Sequence, residues 1–205
     1  MNDMLTYRSL EGLTEAEFKD RGSRFLAYAN HVNYTADIKS SIKSLKDLHP
    51  KAVHHCYAYR LGLNKNQFRA NDDGEPAGSA GKPILGQIDR LELTHTLVVV
   101  VRYFGGNLLG VPGLINAYKT SAQMALSANT IITYDVCVSY HLSFDYNLTN
   151  QVMRIVKLTQ AKILFQELNL FCEMNISLPV KEVSRFEALT ADLHTLKVQA
   201  LEESL

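Results

Sequence analysis

Ile38, Ile42, Leu45 and Leu48 recur at intervals of 4, 3 and 3 residues, so residues 35–49 carry one apolar helical stripe. Lys39, Lys43 and Lys46 fall off that stripe as a solvated face, and Pro50 closes the helix. Residues 23–32 and 54–61 are rich in apolar and aromatic side chains and predict strands. Residues 97–104 (LVVVVRYF) are the strongest strand, because a continuous apolar run predicts burial on both faces of a sheet. Residues 114–128 predict a helix packed on that sheet. Residues 62–86, rich in Gly, Asn, Asp and Pro, are expected to be irregular and, at that length, functional.

After residue 134 the pattern changes. Val138, Tyr140, Leu142 and Phe144 alternate as a half-buried strand, and residues 147–158 have helical spacing. Residues 162–168 and 171–178 predict a hairpin turning at Asn169. A helix over 180–191 and a last strand carrying Leu196, Val198 and Ala200 follow. The order β-α-β-β-α-β over 136–201 is the ferredoxin-like motif. It predicts an α+β chain of two domains, residues 1–134 and 135–205.

Composition fits this picture. The chain has 205 residues, 46% hydrophobic and 20% charged, which excludes a largely disordered chain. The longest uniformly apolar run, Leu97–Val101, is far short of the roughly 20 residues of a membrane helix, so no membrane partner is expected. The 21 basic and 21 acidic residues cancel, which removes the simplest electrostatic case for nucleic-acid binding. The balance is a sum over unlike parts: residues 1–134 carry +3 and residues 135–205 carry −3. Cys56, Cys137 and Cys172 are too few and too dispersed for a disulfide framework. With no signal-peptide pattern behind Met1, a cytoplasmic protein with reduced thiols is expected.

Four stretches could carry chemistry. Asn71-Asp72-Asp73-Gly74-Glu75-Pro76 places three carboxylates within four residues. Asp72, Asp73 and Glu75 could shape a turn or hold a hard cation, although the spacing is not that of a calcium loop. Gly78-Ser79-Ala80-Gly81-Lys82-Pro83 is too short between its glycines for a phosphate-binding P-loop, but Lys82 could meet an anion. Arg102-Tyr103-Phe104-Gly105-Gly106, leading to Gly110, brings a buried strand end to a glycine-rich turn and a helix start. There Arg102 and the backbone at Gly105, Gly106 and Gly110 could hold a phosphate or carboxylate. The alternative is an Arg102 paired with a nearby carboxylate. His54-His55-Cys56 has too few ligands for zinc, and no metal site is expected. Alternation puts His54 and Cys56 on one strand face and His55 on the other, with a Cys56 nucleophile as a further reading.

The same stretches resemble the IMPACT/YigZ family of translation-associated proteins. The resemblance lies in SRFLAYANHV (23–32), HHCYAYRLG (54–62), NDDGEPAGSAGKPILGQI (71–88), VVVVRYFGGNLLG (98–110) and GLINAY (113–118). The chain departs from bacterial relatives at Val111-Pro112-Gly113, where a Thr-Gly-Gly turn is typical. Pro112 removes one backbone donor there. The resemblance implies a first domain like domain 2 of ribosomal protein S5, with four strands and two helices, beside a ferredoxin-like domain as in elongation factor G. It implies contact with RNA, the ribosome or a translation factor, no cofactor, and no established catalysis. Two alternatives accompany it. One is an enzyme that binds a nucleotide or phosphate ligand through the loop 105–113, and the other is a protein-interaction regulator without nucleic-acid contact.

Overall fold

The computed structural model describes residues 5–201. The chain divides into two compact units, Tyr7–Tyr134 and a second made of residues 135–201 with residues 5–6. Both are mixed α and β with antiparallel sheets.

The first unit contains β1 (Thr6–Leu10), β2 (Thr14–Asp20), β3 (Ser23–His31), α1 (Thr35–Leu48), β4 (His54–Leu61), β5 (Gln67–Asn71), α2 (Gly81–Arg90), β6 (Thr96–Tyr103), α3 (Gly110–Ser127) and β7 (Ile131–Asp135). A five-stranded sheet runs β2-β3-β6-β4-β5, and β1 pairs with β7. The central strand β6 is buried on both faces, as its apolar run predicts. Val98 and Val100 face the core that includes Ile84, Ile88, Leu114 and Tyr118 from α2 and α3. Leu97, Val99 and Val101 face a second core that includes Ile38 of α1. Strand alternation then turns Arg102 toward α2 and α3 and Tyr103 toward α1.

Several expectations need correction. The sheet has five strands and the unit three helices, not four and two. Two strands precede Ser23. In β2 the charged Glu15, Glu17 and Lys19 alternate with Ala16 and Phe18, a pattern suited to an exposed sheet edge. The stretch 62–86 is not irregular throughout, because β5 pairs with β4 and α2 begins at Gly81. β5 is an edge strand with exposed Gln67, Phe68 and Arg69, so it lacks the apolar alternation that marks a half-buried strand. α3 begins at Gly110, four residues early. Pro112 sits in its first turn, where a missing N–H costs little.

The second unit contains β8 (Cys137–Asp145), α4 (Thr149–Leu158), β9 (Lys162–Leu168), β10 (Phe171–Pro179), α5 (Val183–Thr190) and β11 (Lys197–Leu201). Its sheet order is β11-β8-β10-β9. Leu142, Phe144, Cys172, Met174 and Ile176 pack with Val152, Ile155, Val156 and Phe186 of the helices. The alternation over 196–200 predicts a half-buried last strand. Instead β11, at the sheet edge, is exposed throughout, and it is Leu196, just before it, that packs on the core.

Candidate functional site

The acidic turn is a junction of hydrogen bonds. Asp72 reaches nine residues forward to the start of α2. Its Oδ1 accepts from the N–H of Ala80 (3.0 Å) and Gly81 (2.8 Å), and its Oδ2 from the N–H of Gly78 (2.8 Å). A helix start offers free N–H groups and a positive dipole end to any anion. In α2 that anion is the chain's own carboxylate. Burial raises the Asp72 carboxyl pKa, but the three N–H donors and the Lys82 charge outweigh it and hold the group below its ordinary value. Asp72→Ala is expected to cost about 1–2 kcal/mol, measured by urea unfolding at pH 7. Because the native pKa is lowered, this stabilisation is complete above the ordinary carboxyl value near about 3.9 and is lost as pH falls through the native value. The stability gap between the wild type and Asp72→Asn is therefore expected to close in that acid range.

Asp73 adopts a positive φ of 42° and ties the turn to β4. Its Oδ2 accepts from the His55 N–H at 2.7 Å, and its carbonyl lies 2.7 Å from His54 Nδ1. Lys46 Nζ stands 3.9 Å from its Oδ1. Glu75 is buried, its side chain only 3% exposed. Its Oε1 accepts from Arg102 Nη1 at 2.6 Å and from the Tyr118 hydroxyl at 2.7 Å, with His54 Nε2 at 3.8 Å. The Arg102 guanidinium lies 5.5 Å from the Phe25 ring centre and 5.6 Å from that of Phe104. The Cys56 thiol is 3.0 Å from the Asp72 carbonyl and donates to the Tyr118 hydroxyl at 3.3 Å.

Arg102, Glu75 and the turn at Asp72 and Asp73 therefore converge, but inside the unit. Arg102 takes the alternative in which it pairs with a carboxylate. Lys82 is exposed at the start of α2, beside Gly78 and Asp72. Burial pushes the Cys56 thiol up to about 12, so it holds its proton, and a Cys56 nucleophile does not fit the site. His54 and Cys56 share the face of Arg102, while His55 is buried on the other, as alternation predicts. Among the described residues no group of three or more His, Cys, Asp or Glu is placed to hold a metal ion.

The glycine-rich loop is built by contact with the turn between β2 and β3. Gly105 packs so tightly that a Cβ there would overlap the backbone of Gly22 and Ser23, and its N–H donates to Ser23 Oγ at 3.2 Å. Gly106 and Gly110 have positive φ values of 87° and 69°. No side chain caps the start of α3. Beside the exposed Asn107 and Asn116, this loop and the start of α3 expose four large apolar side chains, Phe104, Leu108, Val111 and Ile115, with Leu108 84% exposed. Sequence reasoning missed two parts of this site. Tyr118 reads only as part of an apolar helix, and the exposure of Leu108, Val111 and Ile115 depends on which face of α3 meets the sheet.

The model of the Impact N-terminal domain family matches residues 21–126. An Escherichia coli (strain K12) protein called IMPACT family member YigZ is 34% identical over 185 residues, 88% of this chain and 91% of that protein. A solved structure described as the crystal structure of an hypothetical protein is 31% identical, with a TM-score of 0.76, covering 98% of this chain and 100% of that one. A solved structure of the two-domain translational regulator Yih1 is 30% identical, with a TM-score of 0.40, covering 58% of this chain and 48% of that one. Among the described residues no helix is long and apolar enough to cross a membrane.

Proposed function

The chain belongs to the IMPACT family, and from that premise we propose that it is a translation-associated regulatory protein whose partner is a protein component of the translation apparatus. A role in translation regulation is supported at the level of the family, in which Yih1 is described as a translational regulator. We read the first unit as an S5 domain 2-like module and the second, with its β-α-β-β-α-β order, as a ferredoxin-like one. One observation carries the choice of partner. Two charges of the motif are consumed internally, Arg102 by Glu75 and Asp72 by α2, which leaves Lys82 as its exposed cation, whereas the large side chains of its exposed rim are Phe104, Leu108, Val111 and Ile115. A phosphate groove needs free cations, and a protein interface is centred on apolar and aromatic side chains. The same internal pairing leaves the loop 105–113 without Arg102 as a cation for a nucleotide phosphate, which weighs against the enzyme alternative.

The test is co-sedimentation with ribosomal fractions, with and without RNase. Leu108→Asp/Val111→Asp is expected to weaken association at least about tenfold, since truncating a central apolar contact commonly costs more than about 1 kcal/mol. Lys82→Ala is expected to leave it unchanged. Association that RNase abolishes, or that falls with Lys82→Ala and not with the apolar pair, would establish RNA contact instead.

A further inference from the structure

We propose that β9 is a self-association edge, joining two copies of this chain in antiparallel register so that Lys162 of each copy faces Glu167 of the other.

Strand β9 ends the four-stranded sheet of the second unit and leaves one side open. Open edges are usually blunted by charge, proline or a β-bulge, and β9 carries two charges and one bulge. Here the middle of the strand is Leu164 and Phe165, both about half exposed, flanked by Lys162 and Glu167. The two charges are five positions apart, which in a regular strand would place them on opposite faces. The register shows otherwise. Lys162 pairs with Ser177 and Glu167 with Glu173, and the shift at Asn175/Ile176 makes Leu164 an extra residue. Ser177 and Glu173 lie four apart on β10, alternating with the buried Cys172, Met174 and Ile176. The bulge therefore puts Lys162, Phe165 and Glu167 together on the outer face.

That placement makes the edge complementary to itself. A two-fold axis between Leu164 and Phe165 sets Lys162 against Glu167 at both ends and Ile163 against Gln166. Each opposed pair shares a face, as directly opposite residues in an antiparallel pair must. Leu164 meets Phe165 at the centre. The isolated sheet also carries an electrostatic defect: Glu167 and Glu173 stand directly opposite each other. Like charges so placed are unfavourable. Neither carboxylate forms an ion pair among the described residues, and neither does Lys162. Lys162 from a second copy, beside Glu167, relieves the defect.

Sedimentation velocity of the full chain over a concentration series tests this, using the wild type, Lys162→Glu, Glu167→Lys, the double reversal and Phe165→Lys. All the altered side chains are exposed, and far-UV circular dichroism checks that each variant folds. The wild type is expected to dimerise reversibly. Each single reversal replaces two attractive pairs with two repulsive ones and is expected to raise the dimer dissociation constant at least about tenfold. The double reversal is expected to restore it to within about threefold of wild type. Phe165→Lys is expected to abolish the dimer. A wild type that stays monomeric to its solubility limit, a dimer indifferent to the single reversals, or weakening without rescue would each overturn the proposal.

Discussion

Glu75→Ala is expected to lower the unfolding free energy by about 3–5 kcal/mol, the usual result of removing one partner from a buried ion pair. The side chains of Glu75 and Arg102 are 3% and 7% exposed. Without the carboxylate, the guanidinium is a buried charge facing Phe25 and a tyrosine hydroxyl. Arg102 is already incompletely served, since its Nε is buried with no hydrogen-bond partner. The Tyr118 hydroxyl loses its acceptor at the same time, which adds an unsatisfied buried donor. Glu75→Leu combined with Arg102→Met removes both charges and is expected to recover much of the loss, because apolar replacement of a whole buried pair is often neutral. Urea unfolding of both variants checks the contrast. A Glu75→Ala loss below about 1 kcal/mol would mean that water reaches Arg102.

Gly105→Ala is expected to have a comparable or larger effect, at least about 4 kcal/mol or failure to fold. The added methyl meets backbone, not a flexible side chain. The carbonyl carbon and oxygen of Gly22 and the amide nitrogen of Ser23 occupy its place. Relief requires parting the end of β6 from the turn between β2 and β3, where Phe25 pairs with Arg102 in the sheet. Gly86→Ala is the matched control, because nothing lies within 4 Å of a Cβ there and α2 gains a better helix former. Thermal unfolding of the two variants is expected to shift in opposite directions.

Elements with a strong period were legible in the sequence. The stripe of α1, the buried run of β6 and the alternation of β8 and β10 each report a side-chain environment that burial enforces. Elements held by pairing alone were not. β5 is an edge strand with mainly exposed side chains, so no apolar pattern marks it, and for β11 the alternation marked the strand but not its exposure at the sheet edge. The start of α2 was hidden because its capping carboxylate lies nine residues upstream, outside any local capping signature. Within the site, Arg102, Glu75, Asp72 and Asp73 stood out as charged residues in glycine-rich surroundings. Their inward direction did not. Whether a charge at the end of a strand points to solvent or to the core depends on what packs beyond it, here Tyr118 from 43 residues after Glu75. The closeness of Gly105 to Gly22 is likewise a long-range fact that a single glycine does not announce.

The run Leu97–Val101 is apolar at every position, and both faces of the sheet around it are apolar cores. Hydrophobic pattern alone therefore carries almost no information about how far β6 should slide between β3 and β4. Valine replaces valine after a slip of one residue or two. The polar residues at the end of the strand supply what is missing. Arg102 meets Glu75 on one face, and the Tyr103 hydroxyl meets His49 Nδ1 at 3.0 Å on the other. A slip by one residue would exchange their faces, and a slip by two would leave Arg102 buried beyond the reach of its carboxylate. The ion pair acts as an alignment mark for a strand that would otherwise have several equivalent seats.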